Sequence, residues 1–112
     1  MPLKTDEYNN VCVLAPAADL SGSESSTELR KTVEGFVDQK QIIDFVVDCE
    51  KVGFIDSEGL EALLWVKRKS EDMFGQMKLA NVDENCRKIL EITRLEPRFE
   101  VCSDLPTALK NM

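Results

Sequence analysis

Histidine is missing from this 112-residue sequence. Its absence removes the commonest general base and the commonest metal ligand at once. A serine nucleophile would need a lysine or a carboxylate as its base, which argues against a hydrolase. No CxxC pair occurs either: Cys12, Cys49, Cys86 and Cys102 stand far apart, a spacing that carries no zinc site. Each lies in or beside an apolar segment and reads as a small buried hydrophobe in a reducing compartment. No apolar run approaches the ~18–20 residues that span a bilayer. Residues 1–7 lack the apolar core of a signal peptide, so a cytoplasmic protein is expected. A basic stripe is lacking too. The 21 acidic and 14 basic residues give a formal net charge of −7, which disfavours nucleic acid and direct membrane binding and favours a protein partner. Lys67-Arg68-Lys69 point in different directions on a helix and read as a solvated helix end.

Apolar residues make up 43% and charged residues 31%, a balance that suits one core and a single domain over residues 1–112. Residues 10–15 form an apolar run stopped by Pro16, a strand that residues 3–8 can join as a hairpin. The polar tract 19–26 reads as a loop. Leu29, Val33, Phe36 and Val37 then recur at helical spacing over about three turns, with Ser26 or Thr27 as cap. Residues 42–48 are almost continuously apolar, the pattern of a strand covered on both faces. A second helix over 57–72 carries Leu60, Leu63, Leu64 and Lys67 along one side, and Gly75 is expected to end it. Residues 77–80 are a short strand. Cys86, Ile89, Leu90 and Thr93 mark a third helix capped by Asp83 or Asn81. A strand over 99–102 and a last short helix with Leu105, Ala108 and Leu109 follow, the helix opened by Ser103 or Asp104. Phe36, Phe45, Phe54, Trp65 and Phe74 fall mostly on apolar faces and read as core, Trp65 at the edge. This alternation predicts an α/β fold with a mixed, largely parallel sheet of four to five strands and helices packed mainly on one face.

The most informative stretch is Phe54-Ile55-Asp56-Ser57-Glu58-Gly59-Leu60, where the strand over 42–48 hands over to the second helix. Backbone N–H groups are unpaired at a helix start, and the helix dipole favours negative charge there. The Ser57 hydroxyl can therefore cap the helix or accept a phosphate without unfolding it. Gly59 is costly in a first turn unless something approaches closely, and a partner is the expected visitor. Asp44, Asp48, Asp56 and Lys78 gather near strand ends. An aspartate-accepting receiver would need an acidic pair after its first strand, where Ala15-Pro16-Ala17 stands, so the carboxylates read as solvated.

The run Val52-Gly53-Phe54-Ile55-Asp56-Ser57-Glu58-Gly59-Leu60, following Ile43-Asp44-Phe45-Val46-Val47-Asp48, resembles the anti-anti-sigma factors, the STAS domains of bacteria. The resemblance covers most of the chain. It departs from the family pattern at Glu58, where a small residue is usual, and in the glycine-free turn Ala15-Pro16-Ala17-Ala18 before Asp19. It implies an anti-sigma factor antagonist with no catalytic group and no cofactor of its own. Ser57 would be phosphorylated by an anti-sigma factor serine kinase that brings ATP and magnesium, and a PP2C-type phosphatase would reset it. Unphosphorylated, the protein would hold the kinase; phosphorylated, it would let go. Asp19, Asp56, Ser57, Glu58 and Gly59 would form the partner surface. The alternative is a STAS accessory subunit of a membrane transporter, such as a lipid ABC system, without a phosphoswitch. Oligomeric state is left open.

Overall fold

Asn9 and Asn10 start the sheet. Both have positive φ, 51° and 68°, the backbone of a type I′ turn that matches the twist of a hairpin. They join strand β1 (Leu3–Tyr8) to β2 (Val11–Pro16), with Tyr8 opposite Val11. The computed structural model describes residues 3–112. Strands β3 (Asp44–Asp48), β4 (Met77–Ala80) and β5 (Glu100–Cys102) add in parallel, in the order β1-β2-β3-β4-β5. Helices α1 (Gly22–Lys40), α2 (Ser57–Asp72) and α3 (Glu84–Ile92) supply the crossovers, and α4 (Leu105–Leu109) follows β5. The fold is α/β with a five-stranded, mostly parallel sheet, as expected.

Pleating sorts the strand residues to two faces. Cys12, Leu14, Phe45, Val47 and Leu79 meet the three long helices, packing on Leu29, Val33, Leu63, Val66 and Leu90. Val11, Val13, Val46 and Ala80 face the other way and meet Ala108 of α4. Thus β3 is buried on both sides, and one short helix covers part of the second face. Three cysteines are buried and all four are free thiols. Burial pushes the thiols of Cys12 and Cys86 up to about 12, which keeps them protonated and unreactive. Among the described residues no helix is long and apolar enough to cross a membrane.

Four local expectations are corrected. The tract 19–26 is not all loop, since α1 starts at Gly22 and runs 19 residues. Two of its serines are buried because their hydroxyls bond to backbone: Ser25 Oγ donates to the carbonyls of Ser21 and Gly22, and Ser26 Oγ to that of Glu58, 2.9 Å away. The cap position is Ser21, not Ser26 or Thr27. At the end of α2 the left-handed residue is Phe74 (φ 65°), not Gly75. Gly75 is needed for proximity instead, because a Cβ there would lie 2.1 Å from the Ile43 carbonyl oxygen. Among the aromatics, Phe45 is core, but Phe74 is 96% exposed and Phe54 47%. Among the strand-end groups, Lys78 in β4 is buried. It is 2% exposed, its Nζ 3.1 Å from the Ala108 carbonyl of α4 and 3.5 Å from the Glu100 carboxylate.

Candidate functional site

The loops that leave β2 and β3 emerge side by side at the carboxyl ends of parallel strands, the place where open α/β sheets present their sites. They are zipped together. Leu20 N–H donates to the Phe54 carbonyl at 3.0 Å, and Asp56 N–H donates to the Leu20 carbonyl at 3.1 Å. The bridge between Leu20 and Ile55 is anchored by both side chains, which are buried. Asp19 Oδ1 accepts from Gly53 N–H at 2.8 Å, and Asn85 Nδ2 donates to the Gly53 carbonyl at 2.8 Å.

Asp56 sits at the centre. It is the N-cap of α2, and its Oδ1 accepts from Gly59 N–H at 2.9 Å. Its Oδ2 accepts from Gly22 N–H, the first residue of α1, at 2.8 Å. One carboxylate thus satisfies orphan donors at the starts of two helices. Of the two roles open to the Ser57 hydroxyl, capping α2 therefore falls to its neighbour: a carboxylate reaches two amides where a serine hydroxyl one position on reaches neither. Hydrogen bonds from the Gly59 and then the Gly22 amide hold the Asp56 carboxyl below its usual range. A depressed carboxyl stabilises the fold above its ordinary value near 4 and loses that contribution as pH falls through the lower folded value. Asp56→Asn should thus be less stable than wild type in urea at pH 7. The gap should close on acidification below about pH 4; a gap that stays constant with pH would contradict the assignment.

Ser57 is left exposed as the first residue of α2, and its hydroxyl has no hydrogen-bond partner among the described residues. Glu58 beside it is also exposed, while its carbonyl is tied to Ser26. Gly59 is buried, and the visitor expected there is the chain itself: a Cβ would lie 2.3 Å from the Leu20 carbonyl oxygen. The structure therefore brings Asp19, Asp56, Ser57 and Glu58 to one end of the molecule and places Gly59 beneath them. Sequence reasoning did not find Gly22, Gly53, Ser26 or Asn85, which are joined to the cluster through backbone groups that leave no side-chain signature. Phe54 is half-exposed on the same loop; its position just before Asp56 was the available signal. A depression between α1 and α2, lined by Ser23, Ser26, Thr27, Arg30, Glu58 and Glu61, borders the serine.

The family model for the STAS domain matches residues 2–108 of this chain. The fold is also similar to solved structures. A Thermotoga maritima protein regarded as an anti-sigma factor antagonist is 17% identical over 96% of this chain and 92% of its own, with a TM-score of 0.82. The anti-sigma factor antagonist SpoIIAA of Bacillus, solved both phosphorylated and unphosphorylated, is 18% identical. Its unphosphorylated form matches over 91% of this chain and 89% of its own, with a TM-score of 0.77. A sulfate transporter family protein from Wolinella succinogenes is 16% identical over 92% of this chain and 84% of its own, at 0.80. At these identities the likeness is one of fold.

Proposed function

This chain belongs to the STAS domain family, and from that premise we propose that it is an anti-sigma factor antagonist, a cytoplasmic, non-enzymatic switch set by the phosphorylation state of Ser57. One observation carries the reading: the Ser57 hydroxyl is exposed and unengaged at a helix start whose capping is done by its neighbour Asp56. A kinase can take that oxygen without breaking a bond that holds the fold. The expected partner is an anti-sigma factor serine kinase, which supplies ATP and magnesium, with a PP2C-type phosphatase to restore the hydroxyl.

The direction of the switch follows from charge. A phosphate adds about −1.5 to −2 charges and three acceptor oxygens. The Gly59 and Gly22 amides are already held by the Asp56 carboxylate, so the new charge projects outward beside Asp56 and exposed Glu58. A partner shaped to an uncharged serine meets an acidic patch instead, while the sheet stays as it was. Asp19 holds the neighbouring loop at Gly53, and Asp56 fixes the backbone on which Ser57 stands.

The test is binding of the candidate kinase to Ser57→Ala and Ser57→Asp. Alanine should keep the complex and aspartate should weaken it on the order of tenfold or more, since like charges juxtaposed in an interface cost several kcal/mol. Incubation with the kinase, ATP and magnesium should place the phosphate on Ser57 by mass spectrometry. Modification elsewhere, or equal binding by both variants, would overturn the proposal. The likeness to a sulfate transporter family protein favours one rival, an accessory subunit of a membrane transporter such as a lipid ABC system. In that role Ser57→Asp and Ser57→Ala would behave alike.

A further inference from the structure

Strand β1 is one edge of the sheet, and five of its six residues are exposed. Edges of this kind present unpaired backbone groups, which proteins ordinarily guard with charges. Which groups are free follows from the hairpin. Tyr8 and Val11 flank a two-residue turn and so exchange backbone bonds. Alternation then turns the backbone groups of Tyr8, Asp6 and Lys4 toward β2 and those of Leu3, Thr5 and Glu7 toward solvent.

The side chains divide the same way. Glu7 pairs with Lys40 of α1 and Leu3 packs on the main core, so Leu3, Thr5 and Glu7 belong to the face of the three long helices. Lys4 and Asp6 lie on the other face, where α4 packs over β3, β4 and β5 and leaves β1 open. Neither has an ion-pair partner among the described residues. The edge therefore carries one free cation and one free anion two residues apart, on the same side.

We propose that this edge is a homodimer interface, in which β1 pairs antiparallel with β1 of a second copy about a two-fold axis at Thr5. In a continuous antiparallel sheet, opposing residues share a face. Centred on Thr5, the register places Lys4 opposite Asp6 of the second copy, twice over, and Leu3 opposite Glu7. Thr5 faces its own counterpart with the outward backbone groups aligned to bond. Shifting the axis to Lys4 sets lysine against lysine, and shifting it to Asp6 sets aspartate against aspartate. Charge thus selects the Thr5-centred register over the two neighbouring ones that also keep the faces matched, and the same charges that deter foreign strands fit a second copy of this one. The axis lies two strands away from β3, so both Ser57 residues stay accessible. One strand pair buries less than a standard interface, so association should be weak and visible as a concentration series.

Sedimentation velocity on the full chain tests this. Wild type should shift from monomer to dimer with concentration. Lys4→Asp and Asp6→Lys should each weaken dimerisation at least tenfold, while an equimolar mixture of the two should recover it, because every cross-strand pair is then of opposite sign. Thr5→Pro removes an outward N–H and no bond to β2, so it should stay folded by circular dichroism and remain monomeric. Wild type that is monomeric into the millimolar range would overturn the proposal. So would association that survives both charge reversals, or a mixture no stronger than its components.

Discussion

Gly59→Ala is expected to lower the melting temperature by on the order of 10 °C, from a cost of about 1–3 kcal/mol for overpacking and about 4–8 °C per kcal/mol in a domain near this size. The added methyl carbon would sit 2.3 Å from the Leu20 carbonyl oxygen and 2.9 Å from Ile55 Cγ2. Neither can give way locally. The Leu20 carbonyl accepts from Asp56 N–H, and Ile55 is buried, so α2 and the loop after β2 must move apart. That movement pulls on the Asp56 bond to Gly22 as well. Gly35→Ala is the internal control: it lies inside α1 with open space around its missing Cβ. There the substitution should stabilise by about 0.5–1 kcal/mol, since alanine is the better helix former. Thermal denaturation of both variants reads the contrast; a Gly59→Ala protein that melts with wild type would refute the close approach.

Lys78→Ala should be comparably damaging, at about 2–4 kcal/mol. Two losses combine. Three methylene groups leave a buried site beneath α4, and the Ala108 carbonyl loses the ammonium donor at 3.1 Å. Lys78→Met separates them, because methionine restores most of the volume and removes the cost of keeping a charge out of water. It should recover at least half of the loss in urea unfolding. Glu100 is largely exposed, so Glu100→Gln should change stability by no more than about 0.5 kcal/mol. A Lys78→Met variant as unstable as Lys78→Ala would mean that the ammonium, rather than the packing, holds the helix down.

Elements with a strong apolar signal were legible in the sequence. The bounds of α2 and β4 match expectation, as does the hairpin, because Val11–Leu14 and Leu60–Val66 leave little freedom of period. The start of α1 was not legible. A run of serines reads as loop whenever nothing says where their hydroxyls go, and here those of Ser25 and Ser26 go to backbone carbonyls of α1 itself and of α2. The burial of Lys78 was not legible for the matching reason: nothing in a short strand says that a carbonyl from a distant helix meets its lysine. At the site, the position of Ser57 at a helix start could be read from the Asp-Ser-x-Gly pattern, but the division of labour could not. Which of two adjacent residues caps α2 depends on Gly22, 34 residues before Asp56, and that is a property of the folded chain. Gly75 shows the same limit, since a glycine near a helix end signals a turn or a close approach equally well, and only Ile43 decides.

The double grip of Asp56 bears on timing. A side chain that fastens both helix entries leaves little slack through which the modification proposed for Ser57 could propagate into the sheet. Under the proposed switch the two states of Ser57 would share one shape, and the pace of the response would be set by the turnover of the kinase and phosphatase.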